Sequence, residues 1–376
     1  MDPFKDIRPY SDSEVASVLQ SLASNPSVLK AFVGLQFPSM LSKMPFIEFF
    51  AKQKLNSYLT TINTIDDYQM IFKNLMEKVI EKSISSFQVN GLDCINKDDN
   101  YLYISNHRDI SLDAALLAFH LHQSGFRTFN IAVGNNLMEE SWASDLFRLN
   151  KSFIIQRAGG TKKEIYSNLS LASQFIQYSI FENNTSVWIA QKQGRAKDGM
   201  DNTDPALLKM IHLSTRKSQS AASYFNSLKV VPVSISYEYD PNDQLKAKEL
   251  DVLQTKKQYA KKKDEDLKSI ADGITGKKGN VIISLTKPMN FAEDDNYQSI
   301  SEKITSSIIS SYKLQATNFA ACKLLKIDLK QDAYSAEEIA HAEKKLEGRC
   351  QFLGTGARSK LLEQYANPAI RQMQIT

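Results

Sequence analysis

Apolar positions in the chain follow two different periods, and the change falls near residue 86. Before it they recur at helical spacing. Val15, Val18, Leu19 and Leu22 follow the capping sequence Ser11-Asp-Ser-Glu14, and Tyr68, Phe72, Leu75 and Val79 share one face of a longer helix opened by Thr64. Asn25-Pro26 restarts a helix between these two, with the proline at its first position, and Pro45 opens a segment rich in Phe46, Ile47, Phe49 and Phe50. Residues 1–85 therefore read as a small helical domain, and no catalytic residue types cluster there.

From residue 86 onward, short apolar runs alternate with helical stretches. Residues 87–89 and 92–95, joined by Asn90-Gly91, predict a hairpin that leads into a strand at 101–104. Residues 112–122 predict a helix that stops at Gly125. Further strands are predicted at 130–133, 153–157, 186–190, 229–237 and 281–285. Helices are predicted around Trp142, Leu146 and Leu149, along the face of Ile165, Leu169, Ile176 and Ile180, and over 205–215. This alternation predicts an α/β fold over residues 86–376, a mixed sheet flanked by helices. Residues 246–278 form a lysine-rich insertion, and after Lys287-Pro288 the pattern stays helical to the end, giving a helical C-terminal tail.

Composition narrows the function classes. A chain of 376 residues, 42% hydrophobic and 23% charged, can bury a large core. A net charge of +4 is too small to signal nucleic acid, and no compact basic-aromatic module occurs. Cys94, Cys322 and Cys350 lack metal or redox spacing, which fits a reducing compartment. Without a secretory signal or a run of about 18 apolar residues, the expectation is a cytoplasmic protein, at most peripheral to the inner face of a membrane. Lys256, Lys257, Lys261, Lys262 and Lys263 read either as a solvated helix face or as a docking surface for an anionic carrier, CoA phosphates or acidic lipid head groups.

The candidate chemistry lies at strand ends, where α/β sheets collect their sites. Three ends are polar: His107, Arg157, and the group Lys192, Arg195 and Lys197. A histidine at a strand end, with a carboxylate opening the next helix, suits acid–base work, because the carboxylate can hold one ring nitrogen while the other acts as base. The same stretch also permits a bland reading, in which His107 ends a strand and Asp113 favours a helix N-terminus. Two other motifs fail on inspection. His107-Arg-Asp109 imitates a kinase catalytic loop, but Ala114 stands where the metal-binding Asn belongs, and the chain has no Asp-Phe-Gly. Gly276-Lys277-Lys278 imitates the end of a P-loop, but residue 271 is Ala and residue 278 is Lys.

Four segments in order resemble the glycerolipid acyltransferases, which esterify glycerol phosphates with fatty acyl groups. Asn106-His107…Asp113 is similar to His-x4-Asp, with one extra residue between the pair. Lys151-Ser-Phe-Ile-Ile-Gln-Arg157 is similar to Gly-x-x-Phe-x-x-Arg, with Lys151 in place of the glycine. Val187-Trp-Ile-Ala-Gln-Lys-Gln-Gly194-Arg195-Ala-Lys197 stands in the place of Glu-Gly-Thr-Arg and looks most like the version in soluble plastid-type glycerol-3-phosphate acyltransferases, with Lys192 where many members have Glu. Val231-Pro-Val-Ser-Ile-Ser-Tyr237 resembles the Val-Pro-Val strand.

The resemblance implies an acyltransferase with acyl-ACP or acyl-CoA as donor and glycerol 3-phosphate as acceptor, active in phospholipid biosynthesis. His107 would be the general base and Asp113 its partner, with Asp109 as the alternative partner. Arg157, Arg195 and Lys197 would bind the acceptor phosphate. No cofactor or metal is implied, and nucleic acid is not an expected partner; peripheral contact with an anionic membrane is. The rival readings are a lysophosphatidate or other lipid-hydroxyl acyltransferase, and a non-catalytic lipid-binding protein on the same fold.

Overall fold

The computed structural model describes residues 2–29, 53, 57, 59–135, 141–157, 159–261 and 265–375; the Pro45 segment and Lys262 and Lys263 lie outside them. In chain order the described elements begin with α1 (Asp12–Ser24), α2 (Ile65–Ser83), β1 (Ile84–Asn90), β2 (Leu102–Ser105), α3 (Leu112–Gln123), β3 (Asn130–Gly134), α4 (Ser141–Leu149), β4 (Ser152–Ile155) and α5 (Lys162–Phe181). They continue with β5 (Val187–Ala190), α6 (Pro205–Ile211), α7 (Ala221–Ser227), β6 (Val230–Tyr237), α8 (Asp243–Lys256), α9 (Glu265–Thr275) and β7 (Gly279–Leu285). Four helices close the chain: α10 (Tyr297–Ser311), α11 (Ala316–Leu324), α12 (Ala336–Cys350) and α13 (Thr355–Ile375). The architecture is α/β, with a mixed sheet flanked by helices. No helix among the described residues is long and apolar enough to cross a membrane.

The chain forms two compact units: Met1–Leu75 with Asn130–Phe175, and Met76–Phe129 with Ile176–Thr376. In the first, Ser11 and Glu14 cap α1 reciprocally, which orients Val15, Leu19 and Leu22 toward Ile62, Ile65 and Leu149. Strands β3 and β4 pair in parallel in this unit. Polar bonds tie its N-terminal segment to α4: Tyr10 Oη donates to Asp145 at 2.6 Å, and the Arg148 guanidinium lies 4.1 Å from the Tyr10 ring centre.

In the second unit the strands run in the order β1-β7-β6-β2-β5. β2 pairs in parallel with both β5 and β6, β1 pairs in parallel with β7, and only β6–β7 is antiparallel. Every residue of β2 and β6 is buried, the serines Ser105, Ser234 and Ser236 included, as befits strands covered on both faces. Small residues let α11, α12 and α13 approach closely: Ala320, Ala321, Cys322, Ala342 and Ala366 share a core with Leu346 and Leu361.

The expected hairpin at residues 87–95 does not form. β1 instead lies beside β7, and residues 92–94 coil into a single 3-10 turn. Gly91 accounts for the difference. Its backbone is left-handed (φ 80°), and a Cβ there would stand 2.0 Å from the Leu285 carbonyl oxygen, so the chain dives past the end of β7 where only glycine fits. The helix expected over 205–215 ends at Ile211 with His212 as its cap, and α7 was not anticipated because seven residues show too little of the helical period.

Candidate active site

β2 is the strand that delivers the site. Its backbone pairing with β6 runs as far as Ser105 opposite Val233. The Asn106 side chain then takes over as if it were another strand residue: Ile235 N–H donates to its Oδ1 at 2.7 Å, and its Nδ2 donates to the Ile235 carbonyl at 3.0 Å. This fixes where the next residue, His107, leaves the sheet. A tight turn follows. Asp109 Oδ1 accepts from the backbone N–H groups of Ser111 (3.0 Å) and Leu112 (2.9 Å), which caps the start of α3.

Asp113, in the first turn of α3, faces back toward the histidine. His107 Nδ1 lies 2.8 Å from Asp113 Oδ2, and the same oxygen accepts from the backbone N–H of Arg108 (2.6 Å) and of Asp109 (3.0 Å). Asp113 Oδ1 accepts from Tyr237 Oη at 2.8 Å. An ionised carboxylate only accepts, so this geometry assigns the ring proton to Nδ1 and leaves the lone pair on Nε2. The extra residue between His107 and Asp113 is absorbed by the Asp109 turn, and of the two candidate partners the structure pairs Asp113 with the ring. Trp188 on β5 packs its ring against His107, centroids 5.9 Å apart and planes at 74°.

A layer of buried charge supports this constellation. Arg108 turns inward: its Nη2 pairs with Asp201, its Nη1 donates to the Ala196 carbonyl at 3.1 Å, and its guanidinium lies 5.8 Å from the Tyr312 ring centre. Burial pushes the Asp201 carboxyl up even with Arg108 beside it. Lys246 Nζ, 1% exposed on its side chain, donates to the Arg108 carbonyl at 2.6 Å and pairs with Asp240. Burial opposes the charge on Asp240, yet Lys246, the Asn242 N–H and Arg195 together hold that carboxyl below the usual range. Burial and the neighbouring Asp113 push Asp109 up. Its Oδ2 sits where a Cβ at residue 273 would come within 2.2 Å, so that position on α9 takes glycine.

Removing one partner of a buried pair strands the other, so Arg108→Met is expected to destabilise the fold by about 3–5 kcal/mol. Urea unfolding measures this, and a second substitution, Asp201→Asn, is expected to restore part of the loss. Unchanged stability in Arg108→Met would show that the pair holds nothing together.

The other sequence candidates fall in different places. Ala196 N–H donates to the His107 carbonyl at 2.8 Å, which seats the segment Gly194–Lys197 directly against the histidine. Arg195 is half-buried, and its Nη1 is enclosed without a hydrogen-bond partner. Lys197 pairs with Glu249 of α8. Arg157 lies two residues beyond β4 in the first unit, half-buried, with its backbone N–H on Asn135 at 3.4 Å. Sequence reasoning missed the roles of Tyr237, Arg108, Asp201, Asp240 and Lys246. Tyr237 was visible only as the end of an apolar strand, and Lys246 only as the start of a lysine-rich stretch.

A histidine–aspartate pair at the end of a central parallel strand, with an arginine-bearing segment bonded to it, is an arrangement chemically able to take a proton from a hydroxyl. Residues 86–235 match the Acyltransferase family. No curated protein matches the chain. Among solved structures it is similar to the 1-acyl-sn-glycerophosphate (LPA) acyltransferase PlsC from Thermotoga maritima, at 14% identity over 84% of this chain and 97% of that one, with a TM-score of 0.36.

Proposed function

We propose that the protein moves a fatty acyl group from an acyl thioester, acyl-ACP or acyl-CoA, to a hydroxyl of glycerol 3-phosphate. The observation that carries this reading is the His107 Nδ1–Asp113 Oδ2 contact of 2.8 Å, which leaves Nε2 as a base. His107 Nε2 takes the acceptor's hydroxyl proton as the oxygen attacks the thioester carbonyl, while Asp113 stabilises the imidazolium. The C–S bond then breaks, and the departing thiolate recovers the proton from the ring. Arg195, whose enclosed Nη1 has an unused donor, is the residue to which we assign the acceptor phosphate. Lys197 keeps Glu249 as its partner and contributes positive charge nearby, and no step here is assigned to Arg157.

Lysophosphatidate offers the same phosphate and hydroxyl, so it is the second acceptor to test. Purified protein is given labelled acyl-CoA or acyl-ACP with each acceptor in parallel; acylation of glycerol 3-phosphate supports the proposal, exclusive acylation of lysophosphatidate replaces it, and no transfer to either favours a lipid-binding role. Arg195→Ala is expected to raise the KM for the phosphorylated acceptor roughly 10- to 100-fold and to leave the donor KM near its original value. A change confined to the donor KM would move Arg195 to the carrier side. Contact with an acidic carrier or an anionic membrane falls to exposed Lys256 and Lys257 at the end of α8; Lys261 is engaged with Asp266 at 2.7 Å.

A further inference from the structure

We infer that Tyr237 is a positioning residue for acyl transfer: its hydroxyl holds the second oxygen of Asp113 and, through that carboxylate, sets the His107 ring. This rests on the role proposed for His107. Tyr237 is the last residue of β6, 6% exposed, and its Oη donates to Asp113 Oδ1 at 2.8 Å. Asp113 Oδ2 is already anchored by two backbone N–H groups of the Arg108-Asp109 turn. One anchored oxygen still lets a carboxylate swing about its Cβ–Cγ bond. A second anchor on the other oxygen, from a different strand, fixes the carboxylate plane and with it the line from Oδ2 to Nδ1.

The route by which Tyr237 reaches this place is built into the sheet. Asn106 clamps Ile235 through both of its amide groups. Tyr237 stands two residues further on, so it projects from the same face of β6 as Ile235. On the other side, β7 holds the register with Val281 opposite Tyr237. The residue directly before the histidine therefore sets the strand that carries the tyrosine to the aspartate. Burial, with Asp113 and Asp109 close by, raises the Tyr237 hydroxyl well above 10, so the group remains a donor.

Two replacements at this position test the inference. Tyr237→Phe removes one hydroxyl and no ring volume; it is expected to lower kcat roughly 10- to 100-fold, the scale of a small misplacement of a reacting group. The KM values for donor and acceptor are expected to stay within about twofold, because the hydroxyl acts on the base rather than on bound substrate. The second readout is the NMR resonance of the His107 Nδ1–H proton. With a competing donor lost, Asp113 binds that proton more strongly, and the resonance moves to lower field. Replacing Tyr237 by 2,3-difluorotyrosine, a stronger donor of nearly the same shape, is expected to move it to higher field. Opposite shifts with a kcat-only loss support the inference. An unmoved resonance in folded Tyr237→Phe, or a loss expressed only in KM, overturns it. The resonance is read without substrate, so failure of the His107 assignment would show separately, as an active His107→Ala variant.

Discussion

His107→Ala is expected to lower acyl transfer by roughly 10²–10⁴-fold, the usual worth of a positioned general base, with little change in the unfolding midpoint. A glycerol hydroxyl is a poor nucleophile near neutral pH, and in the proposed step nothing but the imidazole removes its proton as the new bond forms. The thiolate leaving group needs little help, so the loss falls on the nucleophile's side of the reaction. The ring is half-buried; it bonds one oxygen of Asp113 and packs in a T-shaped arrangement with Trp188, so truncation opens space while Asp113 keeps its backbone and tyrosine donors. Steady-state turnover with saturating donor and acceptor measures the effect. A folded variant with near-normal turnover would take His107 out of the mechanism.

Asp113→Asn is expected to cost about as much, roughly 10²–10⁴-fold in kcat, whereas Asp109→Asn is expected to stay within a few-fold. The two aspartates are four residues apart but face different demands. Asp113 receives two backbone donors and the tyrosine hydroxyl, and in the proposed step its charge balances the imidazolium. An amide can keep some of those bonds by turning its oxygen toward the ring and its nitrogen toward Tyr237, yet it supplies no charge. Asp109 caps α3 with one oxygen, a task an asparagine performs equally well. Burial and Asp113 already push its carboxyl toward the neutral form, so a neutral amide changes little. The reverse ranking in kcat would reassign the pair.

How much of this was legible in the sequence follows from how local each interaction is. His107 and Asp113 are six residues apart, so their pairing could be anticipated, although the turn that absorbs the extra residue could not. Strands and helices came from hydrophobic period, and both the α/β class and β2 as site strand were readable. The supports were not. Tyr237 and Asp113 are 124 residues apart, Arg108 and Asp201 93, and Lys246 and the Arg108 carbonyl 138. Such partners leave no period and no spacing; Lys246 reads in the sequence like any other lysine on a helix.

Lys151 shows the converse. In the resemblance it looked like the loss of a glycine, yet its backbone keeps the left-handed conformation (φ 57°) that glycine favours. Burial lowers the Lys151 ammonium, and Asp66 and Asp12 act against that shift. The left-handed turn is present at this position with a half-buried lysine side chain.

In the proposed reaction the acceptor hydroxyl attacks the thioester directly, with His107 as base and no covalent acyl-protein stage. Rapid-quench analysis of excess protein mixed with labelled acyl thioester, with and without glycerol 3-phosphate, tests it most directly. Label is expected in acylated glycerol phosphate when acceptor is present, and in intact thioester with no labelled protein when it is absent. Acyl label on the protein before acceptor is added, or thioester consumed equally fast without acceptor, would contradict it.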